Sequence, residues 1–459
     1  MNNFSISDLP KGAYIHMIGI GGISMSGIAE MLLNFGYKVS GSDAKSSGLT
    51  DRLKQNGAEI FIGQSADNIK NPDAVCYTAA ISPDNPELVK AKTLGIPVVE
   101  RAVFLGALLE KYKYPIAVAG THGKTTTSSM LSLVLLAAHK DPTILIGGEL
   151  SQIGGNYHIG GNEYLPFEAC EYVESFLHFK PFVSIITNIE EDHLDYFKDL
   201  NHIITSFVKF ASLTSDNGFN IVCIDENTTQ SIVQNVKKKA VTYALNNKNA
   251  DYTAENITLE KNGCPTFDIF NKDRKVLSVS LNVAGDHNIC NALGVTAACE
   301  FLGIEPEYIK SGLEEFRGAK RRFDRLGKTE TGVDVVDDYA HHPTEIKTTL
   351  ETAKKMGYNN VWVAFQPHTY TRTAAFLEQF ASALKTADRV MITDIYPARE
   401  KYDGTMHACD LARLIPGVVY MNDMDAMKRY ILSNAKPGDL VITMGAGNIC
   451  DLGYSLTQK

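Results

Sequence analysis

The 459-residue chain has no surplus of positive charge: 44 Lys and Arg stand against 53 Asp and Glu, a formal net charge of −9. Broad nucleic-acid binding needs a basic face, so that class is set aside, a local basic patch apart. No apolar run approaches the roughly 20 residues that span a bilayer. The start, Met-Asn-Asn-Phe-Ser, lacks a basic region followed by an apolar stretch, so a cytoplasmic location is expected. Eight cysteines, at 76, 170, 223, 264, 290, 299, 409 and 450, are scattered without a C-x-x-C pair. That spacing suggests neither a disulfide framework nor a zinc site, and reduced thiols are the default. Repeats at solenoid spacing and low-complexity tracts are missing too. What remains is an ordinary globular composition at about three times the usual domain length, so two or three domains are expected.

The most informative segment runs from Pro115 to Thr127, where a short apolar strand leads into Gly120-Thr121-His122-Gly123-Lys124-Thr125-Thr126 and then a helix. Glycines let backbone N–H groups turn around a polyphosphate, the helix start adds a positive dipole, Lys124 reaches the outer phosphates, and the Thr125 hydroxyl suits Mg²⁺. The usual first glycine of such loops is replaced by Val118, which marks a compact form. Triphosphate chemistry calls for hard oxygen ligands, and Glu168, at the end of a strand expected over 163–168, joins Thr125 as a candidate. His193, after the strand expected over 182–187, is a further candidate ligand, with a helix-capping turn histidine as its alternative.

Upstream, a strand over 13–18 enters Gly19-Ile20-Gly21-Gly22-Ile23-Ser24-Met25-Ser26-Gly27, and a second strand ends at Asp43. Alone, this βαβ start with a glycine turn and a later acid reads as a dinucleotide site, hence a nicotinamide-dependent oxidoreductase. The adjacent Gly21 and Gly22, followed by Ser24 and Ser26, would serve any nucleotide diphosphate. Residues 111–115 read as a linker, 147–161 as an irregular glycine-rich stretch, and 248–284, with its period of two, as a small antiparallel addition. After Arg321-Arg322, strands over 334–338, 360–365, 389–395 and 439–444 alternate with helices, which calls for another doubly wound parallel sheet. Asp338, Tyr339, His341, His342, His368 and Arg372 follow strand ends, where such sheets collect functional groups.

In order along the chain, the glycine turn at 19–27, Gly-Thr-His-Gly-Lys-Thr-Thr at 120–126, Thr-Asn-Ile-Glu-Glu-Asp-His-Leu-Asp at 187–195, and Asp-His-Asn-Ile-Cys-Asn-Ala at 286–292 resemble the Mur ligases. So do Arg-Arg-Phe at 321–323, Asp-Asp-Tyr-Ala-His-His-Pro-Thr-Glu at 337–345 and Gln-Pro-His-Thr-Tyr-Thr-Arg-Thr at 366–373. These are ATP-dependent amide-forming enzymes of bacterial cell-wall synthesis. The resemblance implies an α/β chain of three domains: a Rossmann-like UDP-sugar domain (1–112), a central P-loop ATPase domain with a parallel sheet plus an antiparallel addition (113–318), and a Rossmann-like amino-acid domain (319–459). The Gly-Gly turn and the His-His-Pro and Tyr-Thr-Arg motifs resemble the branch that joins L-alanine to UDP-N-acetylmuramate through an acyl phosphate. The branch that recycles a preformed murein tripeptide shares most of them.

By the same resemblance, Lys124 and Arg322 neutralise the transferring phosphoryl group, and Thr125, Glu168 and His193 hold Mg²⁺. His287, Asn288 and Asn291 meet adenine, and Asp338 meets the ribose or phosphates of ATP. Tyr339, His341, His342, His368 and Arg372 surround alanine and the sugar's phosphates, while Gly19, Gly21, Gly22, Ser24 and Ser26 hold the UDP diphosphate with Asp43 near uridine. Cys170 stands where the family carries a carboxylate, and neither Lys198 nor Lys209 falls at the position of the lysine that some members carbamoylate. A P-loop switch or scaffold and a folate-polyglutamating ligase are the other readings; the latter lacks the opening glycine-serine turn. A monomer or homodimer is expected.

Overall fold

Short apolar segments that end on glycine, followed by amphipathic helices, build three sheets in succession. The computed structural model describes residues 4–402 and 404–457. The first sheet has five parallel strands, with Tyr14–Ile18 at its centre between Lys38–Asp43 and Ala74–Tyr77, and with Glu59–Ile62 and Val98–Glu100 at the edges. The chain leaves the central strand toward one side and later returns to the other, so the crevice at this switch opens over Gly19–Gly22.

The middle sheet has ten strands. Its heart, Phe219–Cys223, Val183–Ile186, Tyr114–Ala119 and Tyr164–Glu168, is parallel and almost entirely apolar, as a sheet covered on both faces must be. The antiparallel addition expected over 248–284 is present as Tyr252–Leu259, Pro265–Asn271 and Arg274–Ser280, and it extends this same sheet at one edge. At the other edge the sequence reading needs correction. The stretch 147–161 is not irregular: Ile144–Leu150 and Gly155–His158 form an antiparallel pair. Its glycines are there for close approach rather than for a loop, because a Cβ on Gly147 would stand 2.8 Å from a Glu168 carboxylate oxygen and one on Gly148 2.9 Å from the Thr125 methyl.

Residues 111–115 are likewise no free linker. Tyr112 is buried, and Tyr114 and Pro115 already pair with Tyr164 and Leu165 as the first rungs of a strand. One apolar core therefore runs from the first sheet into the middle one, joining Ile15, Leu32 and Phe104 to Phe167, Phe176 and Phe207. Gly106 permits the helix Arg101–Leu109 to lie on the turn Tyr172–His178, since a Cβ there would meet the His178 carbonyl oxygen at 2.2 Å.

The third sheet keeps its own cores. Asp334–Asp338, Leu440–Met444, Val361–Phe365, Arg389–Ile392 and Val419–Tyr420 are parallel, and Asp324–Lys328 adds an antiparallel edge that alternation alone did not announce. The third unit meets the middle one through polar contacts around the phosphate loop, among them His122–Glu345, Thr344–Glu190 and Arg372–Asp192. Among the described residues, no helix is long and apolar enough to cross a membrane.

Candidate active site

The strand Tyr114–Ala119 delivers the chain into Gly120, whose φ of +143° and whose approach to Thr187 leave no room for a side chain; a Cβ would lie 2.0 Å from the Thr187 hydroxyl. Gly123, at φ +83°, is the left-handed cap from which the helix Lys124–Ala137 starts. The loop is braced by its neighbour strand end: Thr121 and His122 donate their N–H groups to the Asn188 carbonyl and side-chain oxygens at 3.1 and 2.7 Å, and the Thr187 hydroxyl donates to the His122 carbonyl at 2.6 Å.

Lys124 folds back onto the carbonyl oxygens of Gly120 and Thr121 and onto Glu171, whose carboxylate oxygens stand 3.0 and 3.2 Å away. Burial works against the ammonium charge, but Glu171 outweighs it, and the pKa is raised. Glu171 itself is nearly inaccessible. Of the expected metal ligands, Glu168 accepts the Gly147 N–H at 2.6 Å and faces the Ser128 hydroxyl at 3.4 Å, one helical turn from Thr125. The hydroxyl of Thr125, the carboxylate of Glu168 and the glycine cradle that strand 144–150 folds over them supply the oxygen donors that Mg²⁺ prefers. His193 has other neighbours: its Nε2 lies 3.9 Å from Glu171 and 3.7 Å from Asp192, and its ring stacks beside Tyr172.

A cleft of ≈ 450 Å³ runs from the loop to the third sheet, with His122, Gly123, Thr125, Thr126, His287, Asn288, Asn291, Arg322 and Asp338 in its walls. Nine positions expected to handle the nucleotide are thus brought to one cavity, although Gly120, Thr121 and Lys124 lie behind its lining. Asn288 is oriented by the Ala284 carbonyl, which accepts its amide hydrogen at 2.7 Å, and Asn291 donates to it at 3.3 Å. Asp338 accepts hydrogen bonds from the N–H groups of Ala340 and Phe323 and from the Thr349 hydroxyl; burial raises its pKa to about 6 against the pull of Arg322.

The arginine pair divides. Arg321, at φ +61°, binds Asp337 at 3.0 Å and the carbonyls of Gly445 and Gly447, so it fastens the turn Gly445-Ala446-Gly447 to the sheet. Arg322 is the one left facing the cavity, 3.8 Å from Glu345 and over the Tyr339 ring. Glu345 was not singled out by sequence reasoning, yet it sits among His122 (3.1 Å), His341 (3.3 Å) and Arg322. Burial disfavours its charge, but the surrounding His341, His122 and Arg322 outweigh that and hold its pKa well below the usual carboxylate range. Burial likewise opposes a charge on His122, but Glu345 and Glu190 raise its pKa to about 10. The signal was available: Glu345 is the third residue of the helix Pro343–Lys354, the partner position of a capping box.

Two of the expected residues of the third sheet have partners within the protein. His342 is buried, caps its helix through the Thr344 N–H, and sets Nε2 3.0 Å from the Glu191 carbonyl. Arg372 is held as well, because Asp192 takes its Nη2 and Nε at 2.7 and 3.2 Å, leaving Nη1 3.4 Å from His368. His341 and His368 face each other with ring centres 6.0 Å apart, and burial pushes both down to about 4. Neutral imidazoles add no charge beside Arg372.

At the opening turn, the amides of Gly19 and Ile20 are taken by the Ser42 carbonyl, that of Gly22 by Gly19, and that of Gly21 by Asp43 at 2.9 Å. Asp43 thus organises the turn, and its other carboxylate oxygen lies 3.4 Å from the Lys45 N–H. Ser26 is buried, and its hydroxyl donates to the Ile23 carbonyl at 2.9 Å. The donors left toward a diphosphate are the Ser24 hydroxyl and the first N–H groups of the helix Ile23–Asn34. A second cleft of ≈ 550 Å³ starts there, passing Ile23, Arg52, Asn156 and Tyr157 to Lys320 and Arg322. Arg322 lines both cavities.

Three family models match in succession: "Mur ligase family, catalytic domain" over residues 14–113, "Mur ligase middle domain" over 118–299, and "Mur ligase, glutamate ligase domain" over 321–447. The chain is 50% identical over 457 residues to a UDP-N-acetylmuramate–L-alanine ligase of Acetivibrio thermocellus, covering 99% of this chain and 97% of that protein. It is 47% identical to the protein of that name from Clostridium perfringens, covering 96% of each. Among solved structures, the UDP-N-acetylmuramate–alanine ligase of Thermotoga maritima matches with a TM-score of 0.80 at 32% identity, covering 97% and 98% of the two chains. A murein peptide ligase of Psychrobacter arcticus matches at 0.71 and 25%, with the same coverage.

Proposed function

The chain belongs to the Mur ligase family, and from that premise we propose that it joins L-alanine to the lactyl carboxylate of UDP-N-acetylmuramate at the expense of ATP. The observation that carries the reading is Arg322, which stands in the wall of the nucleotide cleft and of the cleft leading from the glycine-serine turn. A sugar carboxylate arriving along one and a γ-phosphate arriving along the other meet beside one guanidinium. The carboxylate oxygen attacks phosphorus, ADP leaves, and the amine of alanine then displaces phosphate from the acyl carbon. Lys124 would leave Glu171 to follow the transferring phosphoryl group, and Arg322 would oppose the same negative charge.

Thr125 and Glu168 would hold Mg²⁺, with His193 at the edge of that set, and the ion would supply positive charge to offset that of the phosphates. His341, His368 and Tyr339 would shape the alanine pocket, with Arg372 held at its rim by Asp192. The three sheets support units with boundaries near residues 112 and 318, and a cytoplasmic monomer or homodimer fits the small-molecule substrates.

The test is ADP release with each substrate left out in turn, and with L-alanine exchanged for the murein tripeptide. Release should need both the sugar nucleotide and L-alanine. Release without the sugar nucleotide would sink the ligase reading, and preference for the tripeptide would move the chain to the recycling activity.

A further inference from the structure

Two cysteines far apart in sequence meet beside the nucleotide cleft. Cys223 ends the strand Phe219–Cys223 and Cys290 lies in the second turn of the helix Asp286–Phe301, with their sulfurs 3.5 Å apart. Asp225 Oδ2 is 4.0 Å from Cys290 Sγ, and the three ligand atoms all lie within 4.8 Å of one another. We propose that Cys223, Cys290 and Asp225 form a binding site for a thiophilic divalent cation of the zinc and cadmium class.

The sulfur separation, that of an S–H···S hydrogen bond between the two thiols, also suits a shared cation better than a disulfide. Two thiolates bound tetrahedrally at about 2.3 Å from one zinc ion stand roughly 3.7 Å apart, whereas a disulfide needs about 2.05 Å. The pair is therefore spaced for a shared cation and would have to close much further to become a bond. The carboxylate is already aimed. Oδ1 accepts the N–H groups of Asn246 and Asn247 at 2.8 and 3.0 Å, while Oδ2 accepts that of Leu245 at 2.8 Å and faces the Cys290 thiol at 4.0 Å. Such outer bonds fix a ligand before the metal arrives. Sulfur donors select zinc or cadmium over Mg²⁺, so this site would not compete for the ion at Thr125 and Glu168. Glu226, next to Asp225, lines the nucleotide cleft. On binding, each thiol releases its proton to solvent as its sulfur–metal bond forms, and no electrons are transferred.

Cobalt(II) is the probe. Titrated into the reduced full-length protein, it should give a sulfur-to-cobalt charge-transfer band that saturates at one equivalent and is displaced by zinc. Cys223→Ser and Cys290→Ser should each remove the band, and Cys409→Ser should keep it. Cadmium-113 resonance from the unmodified protein should fall in the range of a two-sulfur site, a readout that needs no variant to fold. A band that survives both serine changes would overturn the assignment. So would reduced protein that gives no band while air turns the pair into a disulfide. None of these signals depends on turnover, so the site stands or falls apart from the ligase reading.

Discussion

Lys124 and His122 lie two residues apart, and each pairs with a carboxylate from a distant segment, Glu171 and Glu345. Lys124→Ala removes the cation that would follow the transferring phosphoryl group, and ADP release should fall by at least ~10²-fold. It also strands the buried Glu171 carboxylate, at a cost of about 1–3 kcal/mol, so the thermal midpoint should drop with the circular dichroism of the fold intact. Adding Glu171→Gln should restore the midpoint but not the activity; retained turnover in Lys124→Ala would show that the loop is not catalytic. His122 carries a pH dependence. Its pKa is raised to about 10 in the fold, so its ion pair with Glu345 stabilises fully below its unfolded value near 6.5 and is lost as pH climbs toward 10. Wild-type protein should therefore lose more thermal stability between pH 6.5 and 10 than His122→Gln, and parallel melting curves would remove the ion pair from the account. That His122, His287 and Arg322 would gather at one cleft was legible because their types and positions are chemical in themselves. Glu171, Glu190 and Asp192 were not, because a carboxylate's partner 47 or 180 residues away leaves no local pattern.

The strands and helices around the site were legible wherever apolar periodicity ran unbroken, as at Tyr14–Ile18, Val183–Ile186 and Val361–Phe365. The pair 144–150 and 155–158 was not, since adjacent glycines look like a loop until Glu168 and Thr125 are seen beneath them. A second hidden glycine lies behind the phosphate loop. The helix Lys124–Ala137 crosses the helix Pro306–Glu315 at Gly312, where a Cβ would meet the Val134 backbone at 2.4 Å. Gly312→Ala should gain up to about 1 kcal/mol of helix propensity and lose more than that, about 1–3 kcal/mol, as the crossing is forced apart. The denaturant midpoint checks it; a value at or above wild type would show that the two helices slide freely.

At the scale of the whole molecule, the two junctions differ in kind: the first and middle sheets share an apolar core, whereas the third meets the middle one through charges such as Arg372–Asp192 and the Thr344–Glu190 hydrogen bond. Desolvation opposes the Asp192 charge, but His193 and Arg372 hold its pKa far below the usual range. Arg372→Ala should therefore weaken this junction rather than the fold, with a larger radius of gyration in small-angle scattering and a higher KM for ATP; an unchanged radius would mean that the other contacts suffice. The apolar junction has a consequence for synthesis. The core that covers Ile15 and Phe104 draws on residues as late as Ala244 and Ala250. At ~5–20 residues per second, the ribosome reaches them about 7 to 30 s after Tyr112 has been made. For that interval part of the shared apolar core has not yet been made, although the first sheet has.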